Sequence, residues 1–115
     1  MTNNASDLSA KACKPCEGGM PPLAQIEIDS LLPELAGWEQ AGTVIAKVYR
    51  FQNYYETMAF VNAIAWISHR ENHHPDLEVG YRQCRVRYST HAIGGLSEND
   101  FICAAKIERL LPASP

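Results

Sequence analysis

An α+β sandwich is the fold class this sequence predicts: a four-stranded antiparallel sheet with helices packed on one face, in the order α-β-β-α-β-β-α. Three observations predict it. Stretches that alternate apolar and polar residues with the period of a strand come in two groups, around 38–52 and 77–88. The segment between them carries its apolar residues at helical spacing. The 115 residues, 46% hydrophobic and 20% charged, suffice for one core and not for two.

Residues 1–20 are polar, small and glycine-bearing, with no hydrophobic period, and read as a flexible N-terminal tail. Residues 21–115 then form a single domain, with Pro21 and Pro22 marking where order begins. LAQIEIDSLLPEL, 23–35, holds a short helix ended near Pro33, because proline cannot continue one. AGWEQ supplies a turn and a brief strand at Trp38.

TVIAKVYRFQ, 43–52, is rich in β-branched and aromatic residues and reads as a strand. Ile45, Lys47 and Tyr49 face one way, and Val44, Ala46 and Val48 the other. Asn53 with Glu56 three residues on resembles a capping box and starts a helix that runs to about Glu71. Its positions 54, 58, 61 and 65 form an apolar stripe that 60, 64 and 67 widen, which suggests packing against a sheet.

PDLEVGYRQCRVRYST alternates twice, through Leu77, Val79 and Tyr81 and then Cys84, Val86 and Tyr88, as a hairpin does. After HAIGG, Ser97 and Asp100 start a last helix that Pro112 stops, with Phe101, Ala104, Ile107 and Leu111 on its apolar face. Trp38 and Trp66 are expected in the core, and Tyr81 as a packed strand residue. No internal repeat appears.

A net charge of −3 gives no electrostatic reason to expect nucleic acid as a partner, and Arg82, Arg85 and Arg87 read as a solvated strand face. No apolar run of about 18 residues exists to span a membrane, and the N-terminus has no stretch of signal-peptide type. The expected location is therefore the reducing cytoplasm, with the cysteines at 13, 16, 84 and 103 as thiols. Cys13-x-x-Cys16 has zinc-knuckle spacing, but no second such pair follows. HRENH also lacks the glutamate that a zinc protease motif places directly after its first histidine, so no metal is expected.

The chemistry concentrates in RENHHPD, 70–76. Neighbouring residues point about 100° apart on a helix and to opposite faces of a strand, so His73 and His74 can serve one site only outside regular structure. Pro75 drives His74 out of the helical region, which puts the pair at a helix exit. Imidazole, with a pKa of about 6.5, donates or accepts a proton near neutral pH, so two or three around one cavity are equipped to remove a hydroxyl as water.

The wider pattern is His69, three residues, then His73-His74-Pro75; after five more residues Tyr81, after nine more His91, and after eight more Asp100. In every spacing this resembles the signature of pterin-4a-carbinolamine dehydratases, and YETMAFVNAIAWI, VGY and THAIGGLSENDF also resemble bacterial members. The similarity covers about residues 21–111.

The resemblance implies that the chain removes water from the 4a-hydroxytetrahydropterin left by aromatic amino acid hydroxylases, giving quinonoid dihydropterin. It implies His73, His74 and His91 as the catalytic set, and Asn72, Pro75, Ser89 and Thr90 as substrate-binding residues. His69, Glu71 and Asp100 would support them, although relatives often have glutamate at the His69 position. Asp100 is also where a capping acid belongs. The resemblance implies no cofactor, the pterin being the substrate, and a homodimer or homotetramer. A non-catalytic pterin- or protein-binding module, as in relatives that stabilise dimers of a transcription factor, is the alternative. A pterin step tied to molybdopterin is a third reading.

Overall fold

The computed structural model describes residues 8–15 and 20–111. Along the chain run α1 (Gln25–Leu31), a 3-10 turn at Leu32–Glu34, β1 (Glu39–Ala41), β2 (Val44–Arg50) and α2 (Tyr54–Glu71). β3 (Asp76–Val79), β4 (Gln83–Tyr88), a second 3-10 turn at His91–Ile93 and α3 (Glu98–Glu108) complete it. The strands form one antiparallel sheet in the order β1-β2-β4-β3. The predicted α+β class and element order are what the structure has.

Strand alternation decides which face is covered. Ile45 and Tyr49 of β2 and Cys84, Val86 and Tyr88 of β4 are buried against the helices, while Val48, Arg50 and Arg85 are exposed on the far side. α2 contributes Phe60, Ile64 and Ile67 to this core, and α3 contributes Phe101, Ile102, Ala105 and Ile107. Trp38 joins it as expected and donates through Nε1 to Glu108 at 3.2 Å.

The start of α2 is built as its sequence suggests. Asn53 Oδ1 accepts from the Glu56 amide at 2.9 Å, although Glu56 reaches back to the Gln52 amide and not to that of Asn53. Thr57, fully buried, ties the helix to the hairpin by donating to the Tyr81 carbonyl at 3.0 Å.

Several expectations are corrected. The buried line of α2 is Thr57, Phe60, Ile64 and Ile67. Tyr54 and Ala65 of the expected stripe are exposed, because the apolar surface of α2 is wider than the sheet it covers. Trp66 lies beside that line and not on it, so it is 61% exposed and stacks on His69. Tyr81 sits in the β3–β4 turn, exposed and stacked on Tyr54. Leu111 lies past the end of α3 and is partly exposed.

Part of the expected flexible tail has structure. Residues 8–15 lie along α3, with Leu8 buried at 3% exposure. The packing and hydrogen bonds that hold them involve residues about 90 positions away, which no local sequence signal reports. Cys16, the rest of the tail at 1–7 and 16–19, and Pro112 lie outside the described residues.

Candidate active site

The site follows from the end of a helix and the register of two strands. α2 stops because Asn72 takes the left-handed conformation (φ 53°, ψ 42°), and the amides of Asn72 and His73 both return to the Ser68 carbonyl. Asparagine is one of the few side chains that tolerate this geometry. The chain then passes His73, His74 and Pro75 and enters β3, where Asp76 pairs with Arg87 of β4. Carried one turn past the ladder, that register sets 73–75 beside Ser89, Thr90 and His91 at the same end of the sheet.

A cavity of about 530 Å³ opens there, within the roughly 300–1,000 Å³ usual for small-molecule sites. His73, His74 and His91 all line it, as do Glu71, Asn72, Ser89 and Thr90. Pro75 does not: its part is to shape the exit. His69 is also left out, exposed on α2 against Trp66. It would share a face with His73 only if the helix continued, and the Asn72 turn breaks that relation.

His73 is the most constrained of the three. Its ring lies parallel to Tyr88 of β4, 5.6 Å between centroids with 8° between planes. Its Nε2 is 2.6 Å from Asp100 Oδ1, the carboxylate accepting. Asp100, in the first turn of α3 and fully buried, also accepts through Oδ2 from the Thr90 hydroxyl at 2.8 Å and the Ser97 amide at 2.9 Å. The capping acid and the supporting residue are therefore one side chain, one oxygen for each task.

Burial of the His73 ring works against its charged form, but the hydrogen bond and negative charge of Asp100 outweigh it. The imidazole pKa is held above its ordinary value. With Nε2 so engaged, Nδ1 is the nitrogen left for a ligand. His74 and His91 are exposed at the rim.

Thr90 is buried, its hydroxyl shared between Ser97 and Asp100 and its amide donating to the Gly95 carbonyl at 2.9 Å, so its polar groups serve the framework of the cavity. Glu71 lines the cavity but accepts from the Cys13 amide at 2.9 Å. Its carboxylate holds residues 8–15 in place. Those residues supply a wall that sequence reasoning missed, through Cys13, Lys14 and Pro15. Asn99 and Arg70 were missed as well. The one signal available for the wall was the unexplained Cys13-x-x-Cys16 spacing.

Known proteins resemble this chain in sequence and in fold. The family model described as pterin 4 alpha carbinolamine dehydratase matches residues 21–110. A protein of Nitrosospira multiformis, provisionally named a pterin-4-alpha-carbinolamine dehydratase, is 64% identical over 96% of this chain and 97% of its own length. One of Legionella pneumophila with the same provisional name is 58% identical over 92% of this chain and 96% of its own.

Among solved structures, a transcriptional coactivator/pterin dehydratase from Brucella melitensis superposes with a TM-score of 0.75 at 24% identity, over 77% of this chain and 97% of that one. A pterin dehydratase-like protein described as a RuBisCO assembly factor in the alpha-carboxysome gives 0.55 at 23% identity, over 67% and 89%. These two likenesses establish the shared fold.

Proposed function

The chain belongs to the pterin 4 alpha carbinolamine dehydratase family, and on that premise we propose that it dehydrates 4a-hydroxytetrahydropterin to quinonoid dihydropterin by histidine acid–base catalysis. The observation that carries the reading is the convergence of His73, His74 and His91 on one cavity, with His73 anchored to the buried Asp100.

The reaction breaks the bond from the ring carbon to its hydroxyl, moves the nitrogen lone pair into a new carbon–nitrogen double bond, and takes the proton from that nitrogen. A proton joins the departing hydroxide, so water leaves and the electron count is unchanged. Acid–base groups are therefore sufficient, and the pterin is substrate, not cofactor.

His73 takes the acid role, because Asp100 keeps its proton-bearing imidazolium populated to higher pH. His74 or His91 accepts the proton from the ring nitrogen. Asn72 and Ser89 offer donors and acceptors to the edge of the heterocycle, and Thr90 lines the cavity beside them. The hydroxyl substrate would come from an aromatic amino acid hydroxylase, in a cytoplasmic setting. Among the described residues, no helix is long and apolar enough to cross a membrane.

The test is dehydration of freshly generated 4a-hydroxytetrahydropterin, followed by absorbance. Acceleration by the wild type that collapses in a His73→Ala/His74→Ala variant is expected. No acceleration above the spontaneous rate by folded wild type overturns the reading. That outcome would favour a binding role, which the coactivator and assembly-factor descriptions of the two structural neighbours make the natural second reading.

A further inference from the structure

Dehydration makes no use of the cysteines, yet two of them meet at the cavity wall. Residues 8–15 form a strap along α3. The Ser9 carbonyl accepts from Lys106 Nζ at 2.7 Å, and Lys11 pairs with Glu98 at 2.8 Å. Lys14 is clamped by Asn99, its amide donating to Oδ1 at 3.0 Å and its carbonyl accepting from Nδ2 at 2.5 Å. Between these anchors, Cys13 Sγ lies 3.4 Å from Cys103 Sγ. Cys103 is fully buried in α3, whereas Cys13 is half-buried and faces the cavity.

The two sulfurs stand about 1.4 Å beyond the roughly 2.05 Å of a disulfide bond. Residues 12–15 belong to no helix or strand, so closing the gap from that side breaks no helical or sheet hydrogen bond. We propose that Cys13 and Cys103 are a reversible thiol–disulfide modification site that latches the strap onto α3 at the wall of the histidine cavity. The latch is independent of the dehydratase reading.

The oxidant is a low-molecular-weight disulfide. The Cys13 sulfur, having given up its proton, attacks one sulfur of that disulfide and releases one small thiolate. The Cys103 sulfur, also deprotonated, then attacks the Cys13 sulfur and releases the second. Two protein thiols lose two electrons, the small disulfide gains them, and the two protons end on the released thiolates. The hydrogen bond to Cys103 and burial both push the Cys13 thiol up, so the latch sets slowly at neutral pH and faster as pH rises.

Closing the latch fixes Cys13, and with it the neighbouring Lys14 and Pro15, as a permanent wall of the cavity. It also alters the surroundings of Tyr88, whose buried hydroxyl lies beside Cys103 and whose ring stacks on His73.

The test equilibrates the full chain with mixtures of reduced and oxidised glutathione, then alkylates and maps peptides by mass spectrometry. Expected is loss of the mass of two hydrogens, with a linked pair of peptides containing Cys13 and Cys103 that dithiothreitol separates. Tryptic cleavage after Lys11 should slow by about tenfold or more in the linked form, since proteolysis follows the local opening that the latch prevents. Cys13→Ser, a near-isosteric change at a half-buried position of the strap, should abolish both effects. A folded chain whose Cys103 never links at any ratio overturns the proposal, and so does linkage of Cys13 to Cys16 instead. Neither result depends on catalysis, so the latch and the dehydratase reading fail separately.

Discussion

His73 is held on two sides, by the Tyr88 ring against its face and by the Asp100 carboxylate at its Nε2. Replacing Asp100 with Asn removes the charge that offsets burial, so the His73 pKa should fall, which an NMR titration of its ring protons reads directly. Truncating His73, His74 or His91 to Ala should each lower the dehydration rate by on the order of 10² to 10⁴, measured by absorbance. Linkage gives a second consequence. A raised folded-state pKa contributes stability that is full below the ordinary value of about 6.5 and is lost as pH rises through the folded-state value. The stability difference between wild type and His73→Gln in urea should therefore be largest on the acid side of neutrality and narrow above it. A difference that stays constant with pH would contradict the His73–Asp100 pair. His73, His74, His91 and Asp100 were nameable from the HHP motif and its spacings, whereas Tyr88 was read only as a strand residue. The double use of Asp100 was not, because a capping acid and a histidine partner look alike in a linear string.

At the scale of elements, helix ends do the positioning. The Asn53 cap costs little to remove: Asn53→Ala should lower stability by about 1 kcal/mol, seen as a reduced melting temperature with the site intact. The left-handed Asn72 turn matters more, since it aims the histidines. A β-branched Ile there should cost about 1–2 kcal/mol and disturb the cavity, while Gly should keep the turn, as comparing melting temperatures of the two variants would establish. Caps and breakers such as Asn53, Pro33 and Pro75 are local physics, so they could be read in advance. The buried side of α2 could not. Tyr54, Ala65 and Trp66 are as apolar as their buried neighbours, and only the width of the sheet decides which of them it covers.

Over the whole molecule, α2 and the hairpin turn leave Tyr54, Tyr55, Trp66 and Tyr81 exposed, with Tyr54 stacked on Tyr81. Exposed aromatic area of this kind is available for association. The homo-oligomer expected for this chain should appear in sedimentation velocity as a dimer or larger species, and Trp66→Lys should shift it toward the monomer. A monomeric wild type would contradict the expectation. By itself, the sequence determined the α+β class, the element order, the caps and the histidine set. The first three rest on periodicity and turn chemistry carried by residues a few positions apart, and the histidine set rests on the resemblance of the 69–100 motif to the family's. Only the tertiary structure decided that His69 points away, that Asp100 serves both helix and histidine, and that residues 8–15 wall the cavity beside Cys103. The first depends on the left-handed turn at Asn72, the second on where β4 brings the chain to the start of α3, and the third on contacts between residues some 90 positions apart that no local pattern reports.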